Sequence, residues 1–301
     1  MEGTEYYQRL EFEEYQYIDL VNKILEEGFW EEGRNGRTKA IFGYTMRFSL
    51  KNDTIPIFTT KKTAWKTCLK ELLWFIRGET DNKLLQSQGV HIWDGNTSQD
   101  FLTSVGLTYD EGIAGPIYGY QWRYFNSPYN STTGRPVDKH GAIDQLKQII
   151  DCLKDPVRRT SRRLIMTAWN PEQLDDMALP PCHVMCQFNV SDGNKLSCAL
   201  FQRSNDVSLG TSFNVASYSF LTHLLAKHCG LVAHEFIHFM GNCHIYEQHI
   251  EPMEEILNRE FHKFPKININ CIKENINDYE VNDFEIIGYK SNEVIKMQMV
   301  A

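Results

Sequence analysis

Residues 231–246 read LVAHEFIHFMGNCHIY, and whether this stretch is a helix or a strand decides the fold. Read as a helix, His234, Glu235, His238, Gly241 and His244 spell H-E-x-x-H-x-x-G-x-x-H, the zinc-protease pattern in which three histidines hold the ion and the glutamate is the general base. That chemistry needs the first two histidines on one helical face. Yet Leu231–Phe239 alternates apolar and polar residues and is rich in aromatic and branched side chains, the two-residue period of a half-buried strand. The strand reading rejects the protease and its metal, and places the segment in a sheet.

Working outward, FNVASYSFLTHLLAKHC at 213–229 reads as a largely buried helix that stops at Gly230. Arg163–Trp169, His183–Ser191 and Leu196–Gln202 read as strands, the last two joined by a turn at Asp192-Gly193-Asn194. Nearer the N-terminus, helices are expected over 15–27, 63–77 and 142–153, and strands over 40–50 and 55–59. Strands and helices intermix without a clean βαβ alternation, so the fold class is α+β: a single domain, 15–301, with a large mixed sheet packed by helices. The acidic segment 1–14 is expected to be disordered.

Bulk properties narrow the function. A net charge of −8 over 301 residues argues against nucleic acid as main partner, since that needs a broad basic field. No apolar run is long enough to span a bilayer, and the polar N-terminus is unlike a secretory or transit peptide. Eight dispersed cysteines read as free thiols of a reducing compartment. The expected location is the cytoplasm, with the nucleus also open.

Three places carry candidate chemistry. Cys182 follows two prolines and precedes His183 in ALPPCHVMCQ, residues 178–187; by itself it is as readily an inert buried thiol as a nucleophile, which would need positive neighbours. Cys186, four residues on, reads as core, because strand alternation puts it on the face of Cys182 and no second ligand pair completes a zinc site. Arg162-Arg163 before one strand and Gln202-Arg203-Ser204 at the end of another offer guanidinium forks and a serine donor suited to a phosphate monoester, or else surface ion pairs.

Taken together, ALPPCH at 178–183, QRSNDVSLG at 202–210, FNVASY at 213–218 and HIYEQHIEP at 244–252 make the chain resemble the thymidylate synthase family. FGYTMRFSL, ELLWFIRG, IWDGN, GPIYGYQWR, RRLIMTAWNP and the terminal KMQM extend the match from about residue 15 to the C-terminus. His238, Gly241, His244 and Tyr246 then belong to that family's F-I-H-x-x-G-D-x-H-I-Y block.

The resemblance implies reductive methylation of dUMP to dTMP, with 5,10-methylenetetrahydrofolate as carbon and hydride donor and no metal. It implies Cys182 as the nucleophile on uracil, with Arg203 lowering its pKa, and Glu71, Tyr118, His183 and Asn214 in proton handling and base recognition. The dUMP residues it implies are Arg34, Arg162, Arg163, Arg203, Ser204, Asp206, Asn214, His244 and Tyr246. Those for folate are Ile92, Trp93, Asn96, Asp206, Leu209, Phe213, Met299 and Ala301. An obligate homodimer is implied, joined through a sheet face, with Arg162 and Arg163 reaching into the partner's site.

Some positions depart from the family pattern. The loop Gly33-Arg34-Asn35-Gly36-Arg37-Thr38 makes Arg37 a competitor of Arg34 for phosphate, and Asn242 replaces the usual Asp. Two other functions fit the same blocks: a uracil hydroxymethylase, in which water replaces hydride, and a catalytically retired nucleotide- or RNA-binding homologue.

Overall fold

Val232–Tyr246 is a strand in the middle of a six-stranded sheet. The computed structural model describes residues 12–33, 35–138 and 141–300. The sheet is built from β1 (Phe29–Gly33), β2 (Gly36–Ser49), β3 (Ile165–Thr167), β4 (His183–Ser191), β5 (Lys195–Asp206) and β6 (Val232–Tyr246), in spatial order β1-β2-β6-β5-β4-β3. Neighbours run antiparallel except β5 and β6, which are parallel. A parallel pair needs a long crossover, which is the helix Gly210–His228.

The principal helices are α1 (Tyr15–Glu27), α2 (Trp65–Ile76), α3 (Tyr118–Tyr124), α4 (Gln145–Lys154) and α5 (Gly210–His228). α5 is buried along almost its whole length, as expected of a helix without a polar stripe. It lies between the sheet, where Tyr218 stacks on Phe236 of β6 at 6.1 Å, and α2, where Trp65 meets Phe220 at 6.2 Å. This is the α+β single domain anticipated, with a mixed sheet packed by helices.

α1 packs on the same side of the sheet as α5: it buries Tyr17, Ile18, Leu20, Val21 and Ile24, the Tyr17 ring meets Phe58 at 4.8 Å and Phe58 meets Phe48 at 5.9 Å, and Phe48 lies opposite Phe236. The Tyr17 hydroxyl donates to the Val207 carbonyl at 3.0 Å. On the other side Ile165, Met185, Phe201 and Phe239 are exposed. Met185 pairs with Phe201 and Phe201 with Phe239, so three of them form one row across the sheet.

Several expectations need correction. Residues 55–59 are not a strand: Ile55, Ile57 and Phe58 are buried, but Pro56 has no N–H for a ladder and the segment runs as an interior loop. Strand β1 and helix α3 were not anticipated. Of the segment 1–14, residues 1–11 lie outside the described residues, while Phe12–Glu14 belong to the folded body. Glu14 is 1% exposed, and its carboxylate accepts hydrogen bonds from the amides and hydroxyls of Thr59 and Thr60 at 2.7–2.9 Å. Removing one partner strands the others without water. Glu14→Ala is therefore expected to lower the unfolding free energy by about 2–4 kcal/mol, read from the urea midpoint at unchanged slope.

Candidate active site

Strands β5 and β6 end side by side, with Ser204 opposite Asn242 and Asp206 opposite His244. A cleft of about 500 Å³ opens there, lined by Glu31, Pro180, Arg203, Ser204, His244 and Tyr246 among others. Ligands of α/β sheets bind at such carboxyl ends.

Cys182, directly before β4, is fastened to this cleft by the backbone. The Arg203 amide donates to the Cys182 carbonyl at 2.9 Å, and the Arg203 guanidinium donates to the carbonyls of Pro181 and Pro180 at 3.0 and 2.8 Å. From the other side the Cys182 amide donates to the Tyr118 hydroxyl at 2.9 Å. Tyr118 reaches it because α3 lies hard against α2: a Cβ on Gly119 would stand 2.3 Å from the Phe75 carbonyl oxygen. The Tyr118 ring also meets His183 at 5.3 Å.

Arg203 pulls the Cys182 thiol down as expected, but burial outweighs it: desolvation pushes the thiol up, and Arg203 with the Tyr118 hydroxyl only partly opposes it. The resting thiol is therefore protonated, because a desolvated site disfavours the charged form. Glu71 of α2 behaves as expected: burial raises its carboxyl to about 7, although Trp93 Nε1 donates to it, at 2.7 Å. Burial lowers His183 to about 4, so its ring is neutral.

Asn214, in the first turns of α5, is held by Gln202 in a role that sequence reasoning missed. Gln202 is 2% exposed; its Oε1 accepts from Asn214 Nδ2 at 3.0 Å and meets His238 Nε2 at 2.8 Å, while its Nε2 donates to the Ser204 carbonyl at 2.9 Å. The signal was an amide at a core-facing position two residues after Leu200. Lys61 was also missed: buried, with its pKa lowered by burial to about 8, it donates to the Ser208 carbonyl. Asp206 Oδ1 accepts from the Ser208 and Leu209 amides at 2.9 and 3.4 Å.

Arg34 and Ala301 fall outside the described residues. Arg37 is tied to Glu247 at 2.8 Å and lies over the Trp30 ring at 4.2 Å; Gly36 and Thr38 line the cleft and Arg37 does not. Arg162 and Arg163 are exposed before the edge strand β3. Ile92, Asn96, Leu209 and Phe213 are half-buried, and Met299 is exposed. A bulge between His183 and Met185 breaks the alternation expected of β4: His183 and Cys186 pair with Gln202 and Leu200, so His183 rather than Cys182 shares the side of Cys186. Cys186 itself is buried core, 1% exposed.

The three histidines of the protease pattern cannot meet. On one strand His234 and His238 are about 13 Å apart and His238 and His244 about 20 Å, whereas zinc ligation needs about 2 Å to each.

The family model described as thymidylate synthase matches residues 15–301. The chain belongs to the thymidylate synthase family. It is 47% identical over 289 residues to the "Thymidylate synthase" of Homo sapiens, covering 95% of this chain and 90% of that protein. It is 44% identical over 291 residues to "Thymidylate synthase 1/2" of Encephalitozoon cuniculi (strain GB-M1), covering 96% and 97%. A third relative is the "Bifunctional dihydrofolate reductase-thymidylate synthase" of Zea mays, 44% identical over 290 residues, where the match takes in 95% of this chain and 54% of the relative.

Within this thymidylate synthase fold the buried Glu71 has a measurable signature. An acid whose folded pKa exceeds its unfolded one contributes most below the unfolded value, and that contribution is lost as pH rises through the folded value. With a shift from 4.5 to about 7, stability is expected to fall by roughly 3 kcal/mol across that window. Glu71→Gln should remove the decline and be the more stable protein at pH 8; equal pH dependence of the two by denaturation would contradict it.

Proposed function

We propose that the protein converts dUMP to dTMP with 5,10-methylenetetrahydrofolate, releasing dihydrofolate, with Cys182 as its nucleophile. The observation that carries this reading is the fastening of Cys182 between Arg203 and Tyr118, beside a cleft whose far wall holds His244 and Tyr246.

Each step rests on chemistry that these residues can perform. Arg203 and Ser204, with Arg34 of the β1–β2 turn, bind the phosphate dianion; guanidinium forks match phosphate oxygens. Asn214, oriented by Gln202, meets the uracil edge with one donor and one acceptor, and His244 with Tyr246 takes the 3′-hydroxyl. Arrival of the anion next to Arg203 draws that guanidinium's donors from the proline carbonyls and leaves Cys182 facing a bound electrophile. The thiol releases its proton to water in the cleft and the thiolate adds to C6 of uracil, breaking the C5–C6 π bond to give an enolate that makes C5 nucleophilic; later loss of the C5 proton and cleavage of the C6–S bond return the thiolate.

The folate, when bound, supplies the one-carbon unit and then a hydride. Its fit is supported by Asp206, both of whose amide bonds fall on Oδ1, and by the Trp93 indole beside Glu71. Glu71, poised near neutrality, exchanges protons at O4 of uracil and with water. Tyr118 and His183, both uncharged, guard the sulfur from bulk solvent, and the C-terminal segment including Met299 and Ala301 closes over the cleft.

The working unit is a homodimer. Arg162 and Arg163 are exposed away from their own cleft, and the bare row of Met185, Phe201 and Phe239, with Ile165 on the same face, is an apolar surface of the kind that marks an interface. Eight unpaired cysteines suit a cytoplasmic or nuclear setting.

Incubation with dUMP and methylenetetrahydrofolate is expected to give dTMP with a stoichiometric rise in dihydrofolate absorbance. A hydroxymethylated product without dihydrofolate would replace this reading with hydroxymethylation, and no product would leave a binding protein. Cys182→Ser is expected to retain dUMP by calorimetry and lose turnover by at least about a thousandfold.

A further inference from the structure

Strand β1 carries Glu31 to the cleft, beside the end of β6. Asn242 Nδ2 donates to Glu31 Oε2 at 3.0 Å, and Asn242 Oδ1 lies 2.9 Å from His244 Nδ1. All three residues line the cleft, and the Tyr246 ring stands edge-on to His244 at 5.3 Å, fixing the imidazole plane.

Each contact dictates the next. A carboxylate only accepts hydrogen bonds, so the Asn242 amide must turn its nitrogen towards Glu31. Its carbonyl oxygen therefore faces His244, and that oxygen also only accepts. Nδ1 of His244 must then carry the ring proton. Burial disfavours the charged ring, although the carboxylates of Asp206 and Glu31 pull the other way. The imidazole that results is neutral, with Nε2 as a bare acceptor.

We propose that Glu31, acting through Asn242, is a positioning residue that sets the His244 tautomer so that the cleft accepts a hydrogen bond from a nucleotide's 3′-hydroxyl, which selects nucleotides whose 3′-hydroxyl is free to donate. The proposal deepens the nucleotide reading above and rests on it. The 3′-hydroxyl donates to Nε2 and its oxygen remains to accept from the Tyr246 hydroxyl, so a 3′-deoxy or 3′-esterified nucleotide loses both. Without the Glu31 carboxylate the Asn242 amide can present either end to His244; with its nitrogen forward, the ring proton moves to Nε2 and the acceptor is gone. The family block carries Asp where this chain has Asn242, and an aspartate, able only to accept, sets the same tautomer unaided. In this chain a carboxylate on the β1 hairpin acts through an amide.

The test uses the full-length protein, Glu31→Gln, and the double variant Glu31→Gln with Asn242→Asp, which returns a carboxylate to β6. Nitrogen-resolved NMR of the ligand-free histidines should show His244 protonated on Nδ1 in the wild type, mixed or on Nε2 in Glu31→Gln, and on Nδ1 again in the double variant. In steady state Glu31→Gln should raise KM for dUMP roughly five- to tenfold with kcat changed less than about twofold. It should shrink the preference for dUMP over its 3′-deoxy analogue by a similar factor, and the double variant should recover both. Wild-type tautomer and KM in Glu31→Gln would overturn the proposal, as would a folded double variant no better than Glu31→Gln. If the wild type does not turn over dUMP, the function fails while the NMR arm still reads the tautomer.

Discussion

At Gly241 a methyl group would stand 2.7 Å from the carbonyl oxygen of Arg203, so β5 and β6 meet there with no side chain between them. Much of the site hangs on that contact. A larger residue would lever β6 away from β5 and carry Asn242, His244 and Tyr246 away from Arg203 and Ser204. It would also shift the Arg203 backbone, whose amide holds Cys182 and whose guanidinium holds the two prolines before it. The strands run parallel, so their carboxyl ends finish together, and the crossover α5 brings Asn214 to the same place from the opposite direction.

Burial then sets the protonation states. The same desolvation that keeps Cys182 a thiol leaves His183 and His238 neutral and keeps Glu71 near its midpoint at neutral pH. Arg203, which lines the cleft, is the cation placed to meet an incoming anion. A chain of net charge −8 can therefore serve an anionic substrate, because the relevant field is local.

The two sides of the sheet divide the work. One side, packed under α1, α2 and α5, sequesters Gln202, His238 and Cys186 and holds Asn214 in place. The other carries an uncovered apolar row, and a large exposed patch of that kind costs free energy in water until something covers it.

The alternation of LVAHEFIHF was legible in sequence and placed β6 in a sheet, because a period of two follows directly from strand geometry. The helix 15–27, a buried helix over 213–229 that the structure starts three residues earlier at Gly210, the turn at 192–194 and the buried carboxylic acid Glu71 were legible for similar local reasons. The blocks around Cys182, Arg203 and Tyr246 identified the family. What the sequence could not show was the order β1-β2-β6-β5-β4-β3, the bulge at His183–Met185, the role of Gln202 or the path from Glu31 through Asn242 to His244. Those depend on which residues, more than 200 apart along the chain in the case of Glu31 and Asn242, are brought within 3 Å of each other. Local propensity is blind to such pairings, since hydrogen bonds across the sheet are set by register and close packing and not by neighbours in sequence.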